Sequence, residues 1–179
     1  MPALSLQELN AFLDEPGHLV RIGTVDADGY PRVVPTWFIR VDDDVVFTPR
    51  GTSAFLANIQ RDRRIGLSID EEPLPYRKVT LQGEARILHE PGTDNEWRDL
   101  YRNIAKRYVP PEAADAYVDE TSDQPRALIG VSLQDSRVTT WRMPIGEENA
   151  TGIWARRYYL DGTHMAKLAD TGGGHGPYA

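Results

Sequence analysis

The chain has 179 residues, a formal net charge of −7 and no cysteine, with 40% hydrophobic and 26% charged residues. These values describe one soluble globular domain with room for a full core. They exclude disulfides, thiolate metal sites and cysteine nucleophiles, and the acidic balance argues against a general nucleic-acid binder, whose footprint is basic.

The N-terminal stretch MPALSLQELNAFLDE carries acidic residues and no apolar segment, unlike a signal peptide. No apolar run approaches the ~20 residues of a membrane helix, so a cytoplasmic protein is expected. Ser5 and Glu8 have the spacing of a capping box, which predicts a helix over 5–14 with Leu6, Leu9, Phe12 and Leu13 on one face. The texture then turns β-rich. LVRIGTV, RVVPTWFIRV and DVVFT read as strands joined at DADG and DDD by tight hairpin turns, so the three aspartates make a solvated turn rather than a metal site. Pro35 lacks a backbone N–H and sends its strand to an edge or a bulge.

A short helix is expected over 54–62, capped by Ser53 or Thr52, with Phe55, Leu56 and Ile59 as its apolar face. RIGLSID and YRKVTLQGEARIL are the next strands, the second long enough to bend at Gly83. Thr93 and Glu96 predict another capping box opening a helix to about Tyr108, which Pro110 and Pro111 end before a second short helix, PEAADAYV. ALIGVSLQ and RVTTWRM complete the strands. Beyond Pro144 no period is legible. The aromatic IWARRYYL is expected to pack against the rest, and the closing TGGGHGPYA to be mobile. The sum is about six strands with three or four short helices, and no regular strand–helix alternation. That predicts a mostly β, α+β domain over 1–143, a small antiparallel barrel, and a C-terminal extension over 144–179.

The usual dinucleotide, nucleotide and hydrolase signatures are absent. His18, His89, His164 and His175 lack ligand spacing, and the pairs Glu71–Glu72 and Glu147–Glu148 read as solvated loop carboxylates. Nothing here specifies hydrolysis or metal chemistry. What remains is TPRGTSAFLAN, residues 48–58, which sets hydroxyls, an arginine and Gly51 before a helix start. Such a start offers unpaired N–H donors and a partial positive charge to a phosphate.

The order VVPTWFIR, turn, VFT, small-residue loop and FLANIQRDRRIGLSI, followed by VTLQGEARIL and a helix ending AKRYV, resembles the pyridoxamine-phosphate-oxidase-like flavin and deazaflavin split-barrel family. The likeness covers roughly residues 15–142. It implies a six-stranded antiparallel split β-barrel with short connecting helices, paired into a homodimer with two cofactors, FMN or the deazaflavin F-420, in grooves between subunits. Carried over, Val34, Pro35, Thr36 and Trp37 would line the ring. Phe47 and Thr48 would approach the ribityl chain, and Thr52, Ser53 and Asn58 the phosphate. Many relatives place a lysine and an arginine where this chain has Phe55 and Ser53. Either Arg50, hinged on Gly51, replaces them, or Phe55 is a core residue and the site has decayed. Arg61, Arg77 and Arg142 are further cations that could reach in, and Trp141 with Arg142 could contact the partner subunit's cofactor or belong to the barrel core.

What this implies is an oxidoreductase moving a hydride between a flavin-type cofactor and a small organic substrate. The ring supplies the chemistry and the protein orientation and exclusion of water. Tyr76, Tyr101 and Tyr158 are candidate proton donors or ordinary structural tyrosines. A basic groove of Arg61, Arg63, Arg64, Arg77 and Lys78 would suit an anionic deazaflavin. A substrate phosphate, as in pyridoxamine phosphate oxidation, lacks evident basic partners. The rival classes are a non-catalytic binder of a flavin, haem or other planar ligand, and a dimeric scaffold without ligand.

Overall fold

A computed structural model describes residues 1–149 and 151–171. The expected mobile end, TGGGHGPYA, lies almost wholly outside them. Helix α1 (Leu6–Asp14) opens the chain on the expected capping box: Glu8 N–H donates to the Ser5 hydroxyl at 3.2 Å, and Ser5 N–H to the Glu8 carboxylate at 2.8 Å. Strands β1 (Val20–Val25), β2 (Pro31–Thr36), β3 (Phe38–Val41) and β4 (Asp44–Phe47) follow, then α2 (Ala54–Arg61), β5 (Arg64–Asp70), β6 (Lys78–Glu84) and β7 (Arg86–His89). Helices α3 (Arg98–Lys106) and α4 (Pro111–Glu120), strands β8 (Leu128–Ser132) and β9 (Arg137–Trp141) and helix α5 (His164–Asp170) complete the described chain.

The strands form two antiparallel sheets, one in the order β2-β1-β5-β6-β9 and one in the order β3-β4-β8-β7. Among the described residues nine strands stand where about six were expected: the seven β-rich runs each form a strand, and two of them break and cross from one sheet to the other. RVVPTWFIRV breaks at Trp37, and Tyr108 pins the crossing: its hydroxyl accepts from Phe38 N–H at 3.0 Å and donates to the His18 carbonyl at 2.7 Å. YRKVTLQGEARIL breaks at Ala85 rather than at Gly83. Gly83 is needed for another reason, since a Cβ there would sit 2.1 Å from the Ser136 hydroxyl. Pro35 lies on the edge strand β2, which pairs with β1 alone and so needs no second ladder.

The five-stranded sheet alternates buried and accessible positions, covering the core with one face. Both faces of the four-stranded sheet are covered. One joins the main core of Phe12, Phe38, Phe47, Leu56, Ile129 and their neighbours. The other packs Val46 and Leu128 against Trp97, Tyr101 and Ala105 of the α3 region and Ala114 and Val118 of α4.

Two expected caps differ. At α2 the Ser53 hydroxyl donates to the Arg50 carbonyl at 2.7 Å instead of accepting from the helix, so neither Ser53 nor Thr52 caps it. Thr93 also caps nothing. Its hydroxyl donates to the Glu90 carbonyl, Asp94–Glu96 form a single 3-10 turn, and α3 begins only at Arg98. The Asp94 carboxylate organises that turn instead, accepting from the backbone N–H of Gly92 at 3.0 Å and of Arg126 at 2.7 Å.

The extension beyond Pro144 packs on the five-stranded sheet. Trp154 stacks on Trp141 with centroids 5.7 Å apart, and the Tyr158 hydroxyl lies 3.1 Å from that of Thr80. The Ile153 carbonyl accepts from the N-terminal ammonium at 2.6 Å. Helix α5, which no periodicity announced, is capped by Thr163, whose hydroxyl accepts from Ala166 N–H.

Candidate functional site

A cavity of about 270 Å³ opens where β2 crosses into β3, lined by Leu19, Pro35, Thr36, Trp37, Thr48, Tyr101, Tyr117 and Arg126. Local structure sets each wall. The crossing turns Trp37 out of both ladders, and its indole stacks on Tyr108 at 5.2 Å with Tyr117 at its edge. Thr48 ends β4. Helices α3 and α4 pack side by side and bring Tyr101 and Tyr117 together with ring centroids 6.3 Å apart. Arg126 precedes β8, where its backbone bridges to that of Arg50.

Arg126 is 6% exposed. Its guanidinium donates to the Thr48 carbonyl at 3.4 Å and the Tyr117 hydroxyl at 3.1 Å, and lies 4.6 Å from the Tyr101 ring centroid. Its Nε finds no acceptor among the described residues. The tyrosines differ in acidity. Burial, then the hydrogen bond to Tyr117, push the Tyr101 hydroxyl well above its ordinary value. Burial also works to raise Tyr117, but the bond from Tyr101, the Arg126 charge and bonds from Arg50 and Arg126 bring it below. Of these groups, Arg126 donates directly to the phenolic oxygen, at 3.1 Å.

Of the expected ring-lining residues, the cavity gathers Pro35, Thr36 and Trp37, and with them Thr48; Val34 is half-buried on β2. Phe47 is fully buried in the core, so no ligand chain reaches it here. On the loop before α2, the Gly51 N–H is committed to the Pro125 carbonyl at 2.8 Å, while Thr52 is exposed and Ser53 half-buried. The first turn of α2 carries no side-chain cap, which leaves its N–H donors available to a bound oxyanion. Arg50 is exposed and reaches Tyr117. Phe55 packs partly buried against the main core. Asn58 turns away from the loop: it is 4% exposed and donates to the Thr24 hydroxyl at 3.1 Å and the Asp26 carboxylate at 2.6 Å.

The remaining cations are engaged elsewhere. Arg77 bonds the carboxylates of Glu15 and Glu71, and Arg142 those of Glu148 and Glu8. Arg61 bonds Asn58 and the Val25 carbonyl, Arg64 pairs with Asp62, and Lys78 lies 5.0 Å over Trp141. Glu15, His18 and Glu71 are close enough to share a metal ion, but Arg77 already holds both carboxylates. Trp141 sits on β9, at the opposite edge of the sheet from β2.

A family model described as pyridoxamine 5'-phosphate oxidase matches residues 5–140. The chain belongs to that family. No curated protein sequence matches it. Among solved structures, the conserved hypothetical protein Rv2991 from Mycobacterium tuberculosis is similar at 19% identity and TM-score 0.63, covering 83% of this chain and 94% of that one. An F420 reductase is similar at 22% identity and TM-score 0.53 (74% and 94% covered), and HutZ, the haem storage protein from Vibrio cholerae, at 16% and 0.53 (72% and 90%). At these identities the likeness is one of fold. Within the family frame, Arg126 and Tyr117 are the residues that sequence reasoning missed. An arginine just ahead of the apolar run ALIGV was the one visible signal, and nothing local says that it lacks a carboxylate.

Proposed function

We propose that this family member is an oxidoreductase that binds a flavin-type cofactor, FMN or the deazaflavin F-420, and passes a hydride between it and a small organic substrate. The observation that supports this reading is the cavity at the β2–β3 crossing, where Pro35, Thr36, Trp37 and Thr48 come together beside Arg126. The residues fit such a group. Trp37 offers an aromatic wall, the uncapped start of α2 offers N–H donors to a phosphate, and Arg50 stands just before it as an exposed cation. The bound ring would supply hydride chemistry. The protein's part is to orient it against Pro35 to Trp37, to keep water off with Leu19 and Trp37, and to hold a proton at the Tyr117 hydroxyl.

The functional unit of this reading is a homodimer with the cofactor groove between subunits, the arrangement that the family resemblance implies. A single-chain mass by light scattering at micromolar concentration removes that part. Haem storage is the weaker reading, because the cavity lining holds no histidine, cysteine or methionine, and both tyrosines are bound up with arginines. The deciding experiment is the absorption spectrum of the purified protein, followed by titration with FMN and with the deazaflavin. Arg50→Ala should weaken cofactor binding roughly ten- to a hundredfold, the worth of a charged hydrogen bond, with an unchanged melting temperature. Failure of both cofactors to bind wild type sinks the proposal.

A further inference from the structure

Two arginines are buried among the described residues, and they are treated differently. Arg142 sits between Glu148 and Glu8. Arg126 has no carboxylate within ion-pairing distance among the described residues. It has one long bond to a carbonyl, one bond to a phenol, the face of Tyr101, and an Nε that meets nothing. A buried charge costs several kcal/mol unless it is paired, and an arginine does not escape by losing its proton. The Asp94 carboxylate, which meets the Arg126 backbone from the turn before α3, is occupied by the N–H groups of Arg126 and Gly92. This unmatched guanidinium lines the cavity, beside the Tyr117 hydroxyl and with the Thr36 and Thr48 side chains nearby.

We propose that this end of the cavity is an oxyanion subsite, in which the Arg126 guanidinium and the Tyr117 hydroxyl bind the carboxylate or phosphate of a small molecule whose flat apolar body lies along Trp37 and Leu19. The size fits a small acid or one end of a larger ligand: about 270 Å³ falls just below the usual range for sites that enclose a whole drug-sized molecule. The phenol suits the role, because its oxygen accepts from Arg126 and its own proton is left to donate. The planar guanidinium suits a two-oxygen acceptor better than a point charge does. The subsite deepens the reading above by naming an acidic ligand, yet its test needs no flavin.

Cofactor-free protein is titrated calorimetrically with benzoate and with inorganic phosphate. At least one should bind wild type in the millimolar range or tighter. Arg126→Gln should lose tenfold or more in affinity, Arg126→Lys should recover only part, and Tyr117→Phe should lose several-fold while remaining folded. If Arg126→Gln does not fold, Arg126→Lys and Tyr117→Phe still decide. Absence of binding to wild type, or equal affinity in the variants, overturns the subsite. Repeating the titration with saturating FMN separates the sources: an anion that still binds marks the substrate's acid group, and one that is displaced marks the cofactor's own phosphate. Failure of FMN to bind ends the cofactor reading and leaves the subsite standing on the anion data.

Discussion

At the residue scale, Arg142 shows how this protein anchors its extension. Its guanidinium takes both oxygens of Glu148, at 2.6 and 3.0 Å, and so ties the segment beyond Pro144 to the end of β9. The hydrogen bonds from Arg142, then the Ile145 N–H, hold the Glu148 carboxyl down at about 2, well below its ordinary 4.5. A carboxylate whose folded value is depressed stabilises the fold fully above the unfolded value and loses that contribution as pH falls toward the folded one. The window here therefore runs from about pH 4.5 down to about pH 2. Glu148→Gln should lower the melting temperature at neutral pH and flatten the acid limb, so that wild type and variant converge near pH 2. An equal offset at every pH would show that the charge is not what matters.

At the scale of elements, α2 is held by its buried polar residue as much as by its apolar face. Leu56 and Ile59 are fully buried, and between them in the chain Asn58 bonds Thr24 on β1 and Asp26 in the following turn. Arg61 closes the network on the Asn58 side-chain amide oxygen at 3.2 Å and on the Val25 backbone carbonyl. This is a link between helix and hairpin rather than a direct phosphate contact. Asn58→Ala should cost about 2–3 kcal/mol in urea unfolding, because the buried Thr24 hydroxyl loses its donor and the Asp26 carboxylate is left with Arg32 alone. A loss near 0.5 kcal/mol would show that water replaces the amide.

For the molecule as a whole, the two sheets serve different ends. The four-stranded sheet is enclosed between the main core and the α3–α4 pair, and the cavity lies where that pair meets the β2–β3 crossing. The five-stranded sheet keeps an outer face, and the extension covers part of it through the Trp154–Trp141 stack and the Tyr158–Thr80 bond. A chain ending at residue 149 keeps the Arg142–Glu148 pair but loses that stack and that bond, together on the order of 1–2 kcal/mol. For a protein of this size that is a melting temperature lower by roughly 5 °C in calorimetry. An unchanged transition would show the extension to be unattached in solution.

The sequence by itself determined what depends on neighbours in the chain. The Ser5–Glu8 capping box, the hairpin turns, the edge position of Pro35, the helix expected over 54–62 and the antiparallel α+β architecture all follow from local propensity and period. Their order was enough to mark the family. The strand count was out of reach, because the breaks at Trp37 and Ala85 are made by distant partners: Tyr108, 70 residues after Phe38, holds the first, and the Ala85 N–H bonds the Arg63 carbonyl at the second. The caps at Thr93 and Ser53 failed for a local reason: each hydroxyl donates to the carbonyl three residues before it instead of accepting from the helix ahead. The candidate site divided in the same way. Pro35, Thr36, Trp37 and Thr48 were legible as a pattern on consecutive strands. Arg126 and Tyr117 were not, because what distinguishes a buried arginine is whether a carboxylate faces it, and that depends on how α3, α4 and β8 fold together.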